Sequence, residues 1–212
     1  MLLMKFILNL KILISFFYLI MTTKQLIDDI RAITTKNLEV VRKKIVFLNE
    51  DQRLWKINEN TWSVNEILAH LNEYTKFYHF TFIEKITNTR FREPRTIFTP
   101  SPLGRSAWQS MKLGNAKNVK RKFKSPKAYN PLVDVSILTG NEVVDFEKGQ
   151  EDFLTIIEKA GTVDLRRVKV PISISKIIRF RLGDALLFIA YHNERHVQQV
   201  INVMSHPSFP KK

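Results

Sequence analysis

Cysteine is absent from all 212 residues, and its absence removes several chemistries together. No disulfide framework can form, no thiolate can bind a metal, and no cysteine can act as a nucleophile. A metal would be left to nitrogen and oxygen ligands, which suit zinc, nickel, iron or manganese more than copper(I). Acidic residues are scarce in two stretches. Between residues 90 and 131, eleven Lys and Arg face Glu93 alone, and between 165 and 181 six Lys and Arg face no acid at all. The formal charge of +14 therefore belongs to two segments that read as connections between helices. One reading is an anion-binding surface for nucleic acid, acidic lipid or a charged small molecule. The other is a set of solvated loops.

A long unbroken apolar run is also missing. Residues 1–20 are strongly apolar but are interrupted by Lys5, Asn9 and Lys11. Lys11 would lie near the centre of a bilayer, so a membrane span is poorly served. A signal peptide lacks its small-x-small cleavage site, since Ile20-Met21-Thr22-Thr23 offers none. A translation start at Met21 is favoured over both, giving a cytoplasmic protein. A membrane-anchored or exported one follows if residues 1–20 are retained. Internal repeats and low-complexity tracts are absent, and 44% hydrophobic with 25% charged residues is ordinary globular composition.

Hydrophobic spacing supplies the architecture. From Lys24 to about Leu48, apolar residues recur at steps of three and four with a single step of five, which predicts an amphipathic helix. Ser63 and Glu66 form a capping box that starts a second helix at Val64, with Ile67, Leu71, Tyr74, Tyr78 and Phe82 as its stripe. Residues 89–134 carry five prolines and no sustained period, so they read as an irregular, surface-lying insertion, with a helical turn over Ser106–Met111. Val135–Ala160 predicts a third long helix, stopped at Gly161. Val163–Ile174 alternates enough to be extended, and Asp184 is placed as the cap of a final helix ended by His206-Pro207. The expected fold is all-α: a four-helix bundle over 21–206 with long connections, a short extended segment before the last helix, and a tail at 207–212.

Within that frame the histidines carry the chemistry. His192 and His196 are one turn apart on one face of the last helix. Ala190, Val197 and Val200 flank them at core-facing offsets, so the pair points partly inward. An H-x-x-x-H is part of the zincin motif, but that motif needs Glu after the first His, where this chain has Asn193. By itself the pair signals a metal only weakly. His70, on the core edge of the second helix, is the third inward histidine, and three nitrogens would leave positions open for water or substrate. His79 is expected on the surface, about 180° around the helix from His70, and His206 is at the chain's end. Among nearby carboxylates, Glu66 has its capping role and Glu194 should face solvent. Glu73, three residues after His70, is the candidate second-nitrogen partner or general base.

Trp62-Ser63-Val64-Asn65-Glu66-Ile67-Leu68-Ala69-His70-Leu71 resembles the W-S-x-x-E-x-x-x-H-L segment of the DinB/YfiT-like superfamily. His192 to Val200 resembles that family's H-x-x-x-H-x-x-Q-[IV] helix. The resemblance spans about residues 21–206. It implies a metal site of His70, His192 and His196 holding nickel, zinc or iron, often in a homodimer. It also implies, for some members, thiol-dependent S-transferase or isomerase activity using low-molecular-weight thiols such as bacillithiol or mycothiol.

The leading expectation is a three-histidine metal-dependent enzyme, a thiol transferase or hydrolase acting on a small molecule. Basic residues such as Arg105, Lys122 or Arg179 could receive carboxylates of a thiol cosubstrate. The alternative is a non-enzymatic metal- or ligand-binding bundle with a basic docking surface. Nucleic-acid binding ranks last: Phe91, Phe98, Trp108, Phe123 and Tyr129 lie in the basic segment, but no nucleic-acid motif accompanies them.

Overall fold

A computed structural model of the chain describes residues 21–113 and 124–211. The apolar residues 1–20, and Lys117, Lys120, Arg121, Lys122 and Phe123 of the basic insertion, lie outside the described residues. The molecule is mostly helical. Four long helices dominate: α1 (Thr23–Lys43), α3 (Val64–Asn88), α5 (Glu142–Ala160) and α6 (Leu182–Met204), with shorter α2 (Glu50–Leu54) and α4 (Pro102–Met111) between them. Helices α1 and α3 each pack against α5 and α6. None of the described helices is long and apolar enough to cross a membrane.

Local chemistry fixes the helix starts. Thr22 with Gln25, Asn49 with Gln52 and Ser63 with Glu66 each form a capping box, in which two backbone N–H groups otherwise left unpaired find side-chain acceptors. The third is the one expected at α3. Glu66 also receives Lys56 Nζ at 2.5 Å, so the start of α3 is tied to the connector before it. Two boundaries differ from the periodicity. α1 stops at Lys43, and Ile45–Phe47 forms a separate 3-10 turn that continues the same apolar face. α5 starts at Glu142 rather than Val135, because Gly140 has φ +83° and turns the chain there.

The apolar interior falls into two clusters. Leu26, Ile30, Tyr78, Phe82, Phe153 and Leu186 belong to the first, and Val41, Ile67, Leu71, Phe146, Val197 and Val200 to the second. Along α3 the change occurs between Leu71 and Tyr74, and along α6 between Ala190 and Val197. The three histidines fall at that seam.

The segment expected to be irregular and surface-lying is more ordered than its prolines suggest. Ile97–Phe98 forms β2, antiparallel to β1 (Met21–Thr22), and α4 follows, starting at Pro102. Phe98, Trp108 and Met111 are buried, so these side chains anchor the insertion to the helices and are not free to stack on bases. Nor does Asp184 cap α6, as its spacing suggested. The cap is Arg181, and Asp184 sits inside the first turn, fully buried. Its Oδ2 accepts hydrogen bonds from the Ser101 backbone N–H at 2.9 Å and hydroxyl at 2.7 Å, and its Oδ1 accepts one from Trp108 Nε1 at 3.2 Å. Gly104 of α4 passes so close that a Cβ there would lie 2.4 Å from the Asp184 carboxylate. The expected extended segment is a hairpin, β3 (Lys169–Ile172) antiparallel to β4 (Ser175–Arg181). β4 covers residues read from the sequence as the lead into α6.

Candidate metal centre

The structure brings His70, His192 and His196 together, with one ring nitrogen from each within 4.8 Å of the others. Ring centroids are 5.2 Å apart for His70 and His192, 4.8 Å for His70 and His196, and 4.7 Å for His192 and His196. The i, i+4 spacing on α6 supplies two rings, and the packing of α3 against α6 supplies the third.

For two of the three rings, the orientation follows from the other nitrogen. His70 Nδ1 is 2.6 Å from the backbone carbonyl of Tyr129. A carbonyl only accepts, so this nitrogen carries the proton and Nε2 presents a lone pair. Nδ1 of His196 is 2.9 Å from Gln199 Oε1, which fixes the same tautomer when the amide oxygen accepts. Nε2 of His192 lies 3.3 Å from that of His70, while its Nδ1 is buried with no hydrogen-bond partner. Two of the three imidazoles thus have the N–H···O=C support that metal-ligating histidines require, with Nε2 directed into the cluster.

Burial keeps all three neutral. It lowers the His70 pKa to about 4, partly offset by the Tyr129 carbonyl. It lowers His196 to about 3, with His70 adding to the effect and Gln199 opposing it. His192 is held well below the usual imidazole range by burial, then by His196 and His70. Neutral imidazole is the form that ligates a metal. The donor set therefore fits a divalent transition metal.

Aromatic rings enclose the cluster. Trp62 lies 4.9 Å from His70 and stacks 6.0 Å from His196, and Tyr74 lies 4.4 Å from His192. On one side the imidazoles line a cavity of about 450 Å³, together with Trp62, Tyr74, Lys124, Ser125 and Arg195. A cavity of that size takes a small organic molecule.

The remaining candidates are elsewhere. Glu73 is not on His70: its Oε1 receives Lys76 Nζ at 2.5 Å, and Tyr129 holds the nitrogen Glu73 was expected to hold. Glu194 faces outward to Lys36 Nζ at 3.2 Å. His79 is not on the surface; it is buried and stacks on Phe153 at 5.4 Å, because α5 packs over that side of α3. His206 packs beside Trp55 at the chain's end. Arg105 and Arg179 do not line the cavity, and Lys122 lies outside the described residues.

Sequence reasoning missed two supports of the site. Tyr129 acts through its backbone, 59 residues from His70, and leaves no local signal. Gln199 is legible, since it follows His196 at i+3, a spacing that puts the two on one helix face. No family model, curated protein or solved structure matches this chain.

Proposed function

We propose that this chain is a three-histidine metal-dependent enzyme, on a four-helix bundle of the DinB-like kind, that performs thiol transfer or hydrolysis on a small molecule. The observation that carries the reading is the opening of three convergent, neutral imidazoles onto one cavity of about 450 Å³. A purely structural histidine cluster would have no use for such an opening. Nickel, zinc or iron held by His70, His192 and His196 would supply a Lewis acid that lowers the pKa of a thiol or water at neutral pH.

The chain's own residues do the rest. Tyr129 and Gln199 fix the imidazole tautomers. Trp62, Tyr74 and Phe188 form apolar walls that limit water around the reacting atoms. Lys124 and Arg195 bring positive charge to the cavity lining, where carboxylates of a thiol cosubstrate would be received. A thiol supplied from outside agrees with a chain that has no cysteine of its own.

The test is elemental mass spectrometry of the full chain and of its His70→Ala, His192→Ala and His196→Ala variants, followed by thiol-consumption assays with electrophilic substrates. Near-stoichiometric metal, lost in each variant, is expected. A wild-type chain that stays empty after exposure to nickel, zinc, iron and manganese would sink the reading.

A further inference from the structure

The two basic segments of the sequence meet at a second cavity, about 480 Å³ in volume, lined by Phe91, Arg95, Arg166, Arg167, Lys169 and Arg181. Its negative charge is already committed. Asp164, buried beside it, accepts from Arg95 Nε at 3.0 Å and from the backbone N–H groups of Arg166 at 2.9 Å and Arg167 at 3.1 Å. Among the described residues, no carboxylate oxygen lies within 4.0 Å of the charged nitrogens of Arg166, Arg167, Lys169 or Arg181. Four cations therefore share one concave wall with no carboxylate in direct contact, and buried Asp184 acts on Lys169 and Arg181 only through space.

Three features separate this wall from an ordinary solvated basic face. Lys169 and Arg181 are direct cross-strand partners in the hairpin, a position where like charges destabilise a sheet. Arg181 donates from Nη1 to the Thr99 carbonyl, but its Nε is buried with no partner, and an unpaired buried donor is costly. Lys169, though its side chain reaches solvent, is held below the usual lysine range by partial desolvation, then by Arg181 and Arg166, with Asp184 opposing. The first backbone N–H groups of α6 contribute nothing to this wall, since Leu182 and Gly183 donate to the Val168 and Leu165 carbonyls. The positive field comes from side chains.

We propose that this cavity is an anion site for a small molecule bearing two adjacent phosphate groups, separate from the histidine centre. Arginine forks bind phosphate oxygens in pairs, and two phosphates match four cations that no carboxylate pairs directly. The volume exceeds what a lone phosphate fills. Arg90 and Arg167 both lie over the Phe91 ring, at 5.2 and 4.0 Å from its centroid, so the ring orients guanidinium groups and is not a free platform for a nucleobase. Arg181 precedes His192 by eleven residues of one helix, which sets the two sites about 16 Å apart along its axis.

The probe is inorganic pyrophosphate, titrated calorimetrically into the full chain at low ionic strength, with Arg166→Ser, Lys169→Ser and His70→Ala variants beside it. Arg166 and Lys169 are exposed, so either variant can serve alone. One-to-one binding is expected, weakened about tenfold or more in the Arg166 and Lys169 variants, as loss of a charge-assisted contact implies. The His70 variant should bind like wild type. Absence of binding, or equal binding in the Arg166 and Lys169 variants, overturns the proposal. So does binding lost in the His70 variant, which would place pyrophosphate at the metal centre. A single-stranded oligonucleotide that binds through Lys169 where pyrophosphate does not would also overturn it, and would make this face a nucleic-acid surface.

Discussion

The backbone carbonyl of Tyr129 lies 2.6 Å from His70 Nδ1, so a residue of the long connection decides which nitrogen of a helical histidine faces the cluster. The carbonyl is held in place by the Tyr129 side chain, whose ring sits 4.6 Å from Tyr74, and by a bond from its N–H to the Pro126 carbonyl at 3.0 Å. Removing the ring in Tyr129→Ala should let the segment move and weaken metal binding about 10- to 100-fold, the usual loss when an outer-shell support goes. Tyr129→Phe keeps the ring and should bind like wild type. Competition against a chelator of known affinity measures both, and equal affinity in the Ala variant would remove Tyr129 from the site.

Gln199 gives a separate test of the same logic. Its Oε1 is 2.9 Å from His196 Nδ1, and no other hydrogen bond to that nitrogen is made among the described residues. Gln199→Ala should also lower metal affinity roughly 10- to 100-fold, whereas Gln199→Glu keeps an acceptor at the same reach and should retain or raise it. An Ala variant that binds as well as wild type, in the same chelator competition, would mean that His196 needs no support.

How far the sequence foretold this arrangement depends on the range of each interaction. The capping box at Ser63, the i, i+4 histidine pair and the stripe through Tyr78 and Phe82 are patterns within one helix, and all three stand. The insertion reads as irregular because proline marks where a helix cannot continue, not what a segment packs against. Phe98 and Trp108 show that it packs inward. Counting 180° from His70 puts His79 on the surface only if a single face of α3 is dry. α3 is buried on more than one side, so that count fails. Tyr129 reaches His70 through a backbone atom, which no side-chain pattern encodes.

The buried histidines also give the protein a direction of pH sensitivity. His70 and His79 have pKa values lowered to about 4, and His196 to about 3, in each case mainly by burial. Exposed in the unfolded chain they would take up protons near 6.5. As pH falls from about 6.5 toward 4, the unfolded state binds protons that the folded state refuses, so stability falls by up to about 1.4 kcal/mol per histidine for each pH unit. Above about pH 7 this contribution is fully present. Urea unfolding midpoints measured in chelator between pH 7.5 and 4.5 should drop steeply, and His79→Phe, which removes one of these groups away from the metal site, should flatten the curve. A midpoint independent of pH over that range would contradict the burial of these rings.

Asp184 joins two helices through a buried carboxylate. Its buried carboxylate accepts three hydrogen bonds from Ser101 and Trp108 and thereby locks α4 onto the start of α6. Asp184→Ala would leave those donors unpaired in the interior, at a cost of roughly 3 kcal/mol. Asp184→Asn keeps one acceptor oxygen and should cost less. Gly104→Ala tests the same contact from the opposite side. A methyl group 2.4 Å from the carboxylate cannot be accommodated without displacing α4, so destabilisation of about 1–3 kcal/mol is expected. Scanning calorimetry of the three variants checks the order. Metal binding should survive all of them, because His192 is two helical turns beyond Asp184 and its ligand partner His70 comes from α3; α4 reaches the cavity only through Met111. Loss of metal in Gly104→Ala with little change in Tm would mean that α4 shapes the histidine centre directly.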